Sequence, residues 1–480
     1  MIDAILDADI GIDAPCRVDV ILADGLIRDV VSHGDARVTA RDGAVIDAAG
    51  AALLPSLHDH HLHLYAAAAA LQSLSCGPPD VADADALQAA LHRRHAMLAP
   101  GEWLRGVGYH ESVAGDIDRH WLDRCGPARP LRIQHRSGRL WILNSLAIAA
   151  LGVCGSDDDV PLERDAQRQY TGRLYDADDW MRRRRPRQRP SLRAISRELA
   201  RLGVASVTDT TPDNDADMAA VFAAAIERGE LLQAVTMMGN ADLDAASAFV
   251  SGRDVQRGAH KFHLHDADLP EFDTLVAAIQ RSHAAGRAAA FHCVTRTDLT
   301  FALSAIEQAG AIAGDRIEHA SVAPPELLDW MRRLGVAVVS QPGFIAERGD
   351  TYLTDVDADD RPWLYRLRSV VDAGIVLASS TDAPFGRRNP WQAMHAAVTR
   401  QTDRGLRIGA DEALSPEQAL QGFLLAPDLA LPRQRRVERG AAADLCLLAE
   451  PWAAARTHLD RVVPRLTLRA GRPIAAAGDG

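Results

Sequence analysis

Eight short β-prone runs, most of them followed by a helical stretch, constrain this chain more than any other feature. They read AALLPSLHD, GVASVTDT, LQAVTMMG, GAHKFHLH, GRAAAFHC, DRIEHAS, GVAVVSQP and GIVLASSTD. Strands that alternate with helices build a parallel α/β sheet, and eight of them close a TIM-type (β/α)8 barrel, whose chemistry sits at the C-terminal strand ends. The spacing is regular except after the first run, where residues 60 to 202 intervene, far beyond an ordinary connection. An insertion at about residues 75–190 is therefore expected over the barrel mouth, where it would shape the substrate pocket.

The two ends of the chain read differently. Segments such as RVDVILADGLIRDVV near the start and VVPRLTLRAGRPIAAA near the end are short apolar runs divided by Gly, Asp and Pro, which predict strands. Residues 1–52 and 430–480 are thus expected to meet in one small β-sandwich, leaving 53–429 to the barrel and its insertion.

The 480 residues carry a net charge of −12, which disfavours nucleic acid and anionic membrane surfaces as partners. The one basic run, Arg182 to Arg185 with Arg187 and Arg189, is broken by Pro186 and Pro190 and reads as a solvated loop. Cys16, Cys76, Cys125, Cys154, Cys293 and Cys446 are scattered with no CxxC, as in reduced cytoplasmic proteins. The acidic start does not resemble a signal peptide, and no apolar run spans a bilayer. These features predict a cytoplasmic protein with a small-molecule substrate, and a homodimer is the candidate assembly.

The chemistry-bearing residues stand at the ends of the predicted strands. His61 and His63, in DHHLHL, point to one face of an extended segment, so both imidazoles can reach one ion. His292 ends the fifth strand, His319 the sixth and Asp382 the eighth. Imidazoles and a carboxylate at one barrel rim form a nitrogen and oxygen donor set suited to zinc or a similar divalent ion.

Lys261 is the only lysine among 53 basic residues. A lone lysine on the fourth strand suggests a task that guanidinium cannot perform. An amine can lose its proton and react with carbon dioxide to give a carbamate, an anionic bridge between two metals. His263 and His265 share its side of the strand as reserve ligands.

With these residues in view, the chain resembles the amidohydrolase superfamily, and within it the branch of N-substituted formamide deformylases (amidohydrolase family 3). LLPSLHDHHLHL looks like the first-strand metal motif and RIEHA the sixth-strand one. SQP, NPWQAMHAAVTRQ, LSPEQAL and GAAADLCLL follow the branch's pattern in order. The resemblance implies a binuclear centre of two divalent ions, zinc or else manganese or iron. His61, His63 and Asp382 would hold one ion and His292 and His319 the other, with carboxylated Lys261 bridging them. It also implies hydrolysis of a carbon-nitrogen bond in an amide, formamide or cyclic amide by a shared water, with Asp382 as general base and then acid.

Three departures bear on the substrate. KFHLHD puts His265 and Asp266 where the branch has Asp-Gly; SGRLWILNS puts Arg139 where it has histidine, while keeping Asn144 and Ser145; and His60 replaces a small or hydroxylated residue. Arg139 is either a bidentate clamp for a substrate carboxylate or a structural ion pair within the insertion. Tyr109 and His110 fall in the segment resembling the branch's pocket-lining loop. Two rival readings are a mononuclear deaminase, which would carry HxxE where this chain has HCVT with Thr295, and a non-catalytic scaffold that has lost its metal.

Overall fold

A computed structural model describes residues 2–35, 44–78, 80–153, 160–184, 189–244 and 254–477. Cys154 and the centre of the basic run, Arg185 to Arg187, lie outside them. The chain divides into two compact units, residues 1–64 with 192–480, and residues 65–191.

The larger unit holds the barrel. Its strands, numbered here in chain order, are β1 (Leu57–Leu62), β2 (Val204–Asp209), β3 (Ala234–Gly239), β4 (Val255–His263), β5 (Ala289–Cys293), β6 (Arg316–His319), β7 (Ala337–Ser340) and β8 (Leu377–Ser379). They form one parallel sheet in sequence order. Each coincides with one of the eight apolar runs. β2, β5, β6 and β7 are short, β-branched or alanine-rich, and almost wholly buried, as strands roofed by helices must be, whereas β4 exposes Gln256, Arg257 and His263.

Helices lie between the strands where capping residues start them. Asp215 accepts a bond from Met218 N, and Thr295 with Asp298 forms a reciprocal capping box. Their apolar stripes pack on the strands: Ile279, Leu299, Leu303 and Met331 join Phe291, Ile317 and Val338 in one buried cluster. Each such side chain contributes about 1.5–3 kcal/mol of burial. Gly422 allows helix Pro416–Leu424 to touch β8, since a Cβ there would lie 2.2 Å from Ser379 Oγ.

The seam between the first and last strands closes just beyond their ends. Asp382 N donates to His61 O and His63 N donates to Ala383 O, each at 2.8 Å. Closure of the barrel therefore brings the HxH segment against Asp382.

Two four-stranded sheets complete the larger unit. One contains Ile2–Asp9, Arg17–Ala23, Leu26–Ser32 and Ala44–Asp47; the other joins Leu53–Pro55 to Leu445–Leu448, Pro464–Arg469 and Arg472–Ala476. Both sheets contribute to one core, with Ile5, Val20 and Ile27 packed in a cluster with Leu445 and Leu468.

Residues 65–191 build a six-stranded sheet of their own, from Leu74–Ser75 through Leu104–Tyr109, Leu131–His135 and Leu140–Leu143 to Tyr170–Tyr175 and Leu162–Arg164. Leu87, Leu91, Leu122 and Ile133 lie in its core. The five described cysteines are free thiols. No helix among the described residues is long and apolar enough to cross a membrane.

Candidate metal centre

The parallel register of β4, β5 and β6 sets three predicted ligands side by side. Lys261 pairs with Ala290, His263 with His292, and Cys293 with His319. Together with the β1–β8 seam, this register gathers His61, His63, Lys261, His292, His319 and Asp382 at the C-terminal ends of the strands.

His61 Nε2 and His63 Nε2 each lie 3.5 Å from the same oxygen, Asp382 Oδ1. One ligand atom from each of these residues falls within 4.8 Å of the others, close enough to share an ion. Asp382 Oδ1 is buried without a hydrogen-bond partner. Beside this trio, His319 Nε2 and His292 Nδ1 are 2.8 Å apart, and the His61 and His319 rings are 4.9 Å apart. A buried carboxylate oxygen with no donor, facing converging imidazole nitrogens, is the arrangement a bound cation satisfies.

The opposite ring nitrogens are held from behind. His61 Nδ1 bonds Glu318 Oε2 at 2.5 Å, His63 Nδ1 bonds Thr211 Oγ1 at 3.2 Å, and His319 Nδ1 bonds Gln341 Oε1 at 2.6 Å. Gln341 in turn donates to Ser380 Oγ at 2.9 Å. With Nδ1 occupied, His61 and His63 have Nε2 left to ligate, while the Nε2 of His319 faces His292 Nδ1.

Burial governs the electrostatics. It pushes His61 and His292 below the usual imidazole range and takes His319 down to about 3, so these rings remain neutral and able to ligate. Burial works to raise the Asp382 carboxyl, but His61, His63 and His319 outweigh it and hold the group at about 2. Lys261 is buried, its Nζ has no hydrogen-bond partner, and desolvation lowers its amine. His319, Ala320 and Asp382 have φ of +69°, +47° and +54°, a left-handed conformation that non-glycine residues rarely take and that clusters at working sites.

The amidohydrolase family model matches residues 44–475, nearly the whole chain. The chain belongs to the amidohydrolase family. A curated relative, the N-substituted formamide deformylase of Arthrobacter pascens, is 25% identical over 493 residues, covering 90% of each chain. Solved structures of metal-dependent hydrolases from Pyrococcus horikoshii and Pyrococcus furiosus share the fold. Their TM-scores are 0.77 and 0.75 and their identities 19% and 21%, and they cover 93% and 92% of this chain and 97% and 98% of their own. As an amidohydrolase, the protein is a hydrolase acting on carbon-nitrogen bonds other than peptide bonds.

Three further residues, Arg139, Tyr109 and His265, are expected to contact substrate, and each has partners within its own unit of the chain. Arg139 is spent on Asp176, with Nε to Oδ1 at 2.8 Å and Nη2 to Oδ2 at 2.6 Å, while 74% of its side chain faces solvent. Of its two readings, the geometry matches the ion pair within the insertion. Tyr109 is buried, and its hydroxyl donates to Gly115 O at 2.6 Å. His265 is 70% exposed, beside Asp266 and the Ala267 N–H. His263 reaches the group only at its edge, its ring 4.5 Å from that of His292. Thr295 caps helix Arg296–Ala309, so the position that would carry the deaminase glutamate has a helix-starting role here.

Other residues of the site were not singled out from the sequence. Glu318, fully buried, binds His61 and forms an ion pair with Arg316, which also donates to His60 O. Burial works to raise its carboxyl, yet Arg316, Lys261 and His61 hold it well below the usual range. The RxE spacing inside a strand was the available signal, since it puts a cation and an anion on one face. Asp59 joins β1 to the residue before Asp382, accepting from Thr381 Oγ1 at 2.5 Å and from Thr381 N at 3.1 Å.

Proposed function

We propose that this metal-dependent hydrolase cleaves an amide, formamide or cyclic amide bond at the group formed by His61, His63, Lys261, His292, His319 and Asp382. The observation that carries the reading is the convergence of His61 Nε2 and His63 Nε2 on one orphaned Asp382 oxygen, beside the His292–His319 pair. The relative active on N-substituted formamides supports this substrate class.

His61, His63 and Asp382 would hold one divalent ion and His292 and His319 a second, with carboxylated Lys261 between them; zinc suits this donor set, with manganese or iron as alternatives. When bound, such ions supply Lewis acidity at the scissile carbonyl and lower the pKa of water. Asp382 is ionised at neutral pH, so its free Oδ1 can take the proton of the attacking water and return it to the leaving nitrogen. Burial favours the neutral Lys261 amine, which adds to carbon dioxide with release of one proton to give the carbamate. Glu318, Thr211 and Gln341 keep the imidazoles oriented.

Lys261→Ala is expected to lose metal and hydrolysis together, with partial recovery in added acetate or propionate. Full activity in Lys261→Arg would sink the carbamate. A screen of N-formyl, N-acyl, lactam and cyclic imide compounds tests the reaction, and metal-replete protein that turns over none of them would overturn it.

A further inference from the structure

Helix Gly343–Asp355 begins just after β7, beside Gln341, the partner of His319. On this helix stands Arg348, exposed to solvent yet fixed in place. Its guanidinium lies 4.0 Å from the Phe344 ring centroid, and its Nη2 donates to Phe385 O at 2.6 Å. Phe385 follows Asp382 by three residues, and its N–H donates to Asp382 O at 2.8 Å. The Phe385 ring meets His63 edge-on with centroids 5.5 Å apart. The guanidinium is thus anchored to the same short segment that supplies the carboxylate of the metal group.

Two features of this rim are unusual. Phe385 leaves 57% of its surface in water while its ring touches that of His63, so it offers an apolar face directly beside the metal group. Arg348, for its part, has no carboxylate within 4.0 Å among the described residues. The acids beside it are committed elsewhere: Glu347 accepts from Arg387 N at 2.9 and 3.1 Å, and Asp350 from Thr402 Oγ1 at 2.8 Å. Arg139, by contrast, has its fork filled by Asp176. The guanidinium is held by the Phe344 ring face, the Phe385 carbonyl and the Tyr352 hydroxyl, and its five N–H groups exceed these partners, so N–H groups remain for a ligand and little entropy is lost in binding it.

We infer that the substrate carries a carboxylate and an apolar group beside the scissile bond, as an N-formyl or N-acyl derivative of an apolar amino acid does. Arg348 receives the carboxylate and Phe385 the apolar group. This inference rests on the amide-cleavage reading above for its reaction, and on Arg348 and Phe385 for its specificity.

The test compares N-formylphenylalanine with N-formylphenethylamine, which lacks the carboxylate, on zinc-reconstituted enzyme. The ratio of their kcat/KM values should favour the acid by about tenfold or more, the usual scale for a charge-assisted pair. In Arg348→Gln the ratio should collapse toward one through a rise in KM for the acid, and Arg348→Lys should keep part of it. Phe385→Ala should raise KM for both compounds. A wild-type ratio near one, or a ratio that Arg348→Gln does not move, overturns the inference.

Calorimetric binding of 3-phenylpropanoate and of neutral 3-phenylpropanamide gives a reading independent of turnover. The acid should bind about tenfold more weakly to Arg348→Gln, and the amide should show no such loss. If neither formamide is cleaved while this difference persists, the reaction reading fails and the recognition stands. If both formamides are cleaved alike, the recognition alone fails.

Discussion

Strand β1 and the residue just past its end carry two histidine pairs at the same spacing, His58 with His60 and His61 with His63, and they do opposite work. His58 has both ring nitrogens spent on hydroxyls of β2, Nδ1 on Ser206 Oγ at 2.8 Å and Nε2 on Thr208 Oγ1 at 2.9 Å. Burial drives His58 and His60 far below the usual imidazole range, and their rings pack edge to face, 4.4 Å apart. His61 and His63 each spend one nitrogen on a supporting residue and turn the other toward Asp382. The lesson is that HxH is a geometry shared by packing and ligation alike. For His58 the partners brought up by folding are hydroxyls; for His61 and His63 the partner is a carboxylate.

Substitutions can break this contrast. The largest effect is expected from His61→Ala or His63→Ala. Each should cost more than the tenfold to hundredfold in metal affinity typical of outer-shell partners, with hydrolysis lost in parallel. Elemental analysis of the purified variants checks this, and a variant that keeps a full complement of metal would end the distinction between the pairs. Next comes Glu318→Gln, which leaves His61 in place but removes the charge behind it. Metal affinity should fall by about ten- to a hundredfold, measured by competition with a chelator. Because Arg316 then loses its buried counter-charge, the melting temperature should fall too.

His58→Ala should show the converse pattern. Stability falls by about 1–3 kcal/mol as the buried Thr208 hydroxyl and the half-buried Ser206 hydroxyl lose their partner, while metal content stays unchanged. Chemical denaturation and metal analysis of one preparation read both quantities.

Much of this was legible in the sequence, and the illegible part has a physical pattern. The barrel could be read because each strand is a continuous apolar run, a signal that lies within its own residues. The grouping of His61, His63 and Asp382 could be anticipated because they stand at the ends of those runs. The roles of Glu318 and Arg139 could not, because each depends on a partner brought near by folding. Asp176 lies 37 residues from Arg139, and His61 lies 257 residues from Glu318. Tyr109 and His265 illustrate the same point: the segment is legible in sequence, but that the first is buried and the second exposed is not.

The smallest effect sharpens the comparison from outside the barrel. His33, half-exposed, contacts Asp19 through Nδ1 at 2.9 Å, and this bond raises its pKa above the usual 6.5. Because the folded value exceeds the unfolded one, the stabilisation is fully present below about pH 6.5 and is lost as the pH rises through the folded pKa. Melting curves at pH 5.5 and pH 8 should therefore differ slightly less in His33→Gln than in the native chain. Metal content should be the same in both proteins.

The seam at which Asp382 meets His61 has a consequence for the order of events during synthesis. The two residues are joined by a backbone bond, yet they come from the first and last strands of the barrel and are separated by most of the chain. A ribosome that has finished β1 through β7 has therefore produced a sheet with an open side and only two-thirds of the cluster His61, His63 and Asp382. Docking of β8 both shuts the sheet and completes that cluster. An incomplete chain is left with neither a closed barrel nor the three residues together.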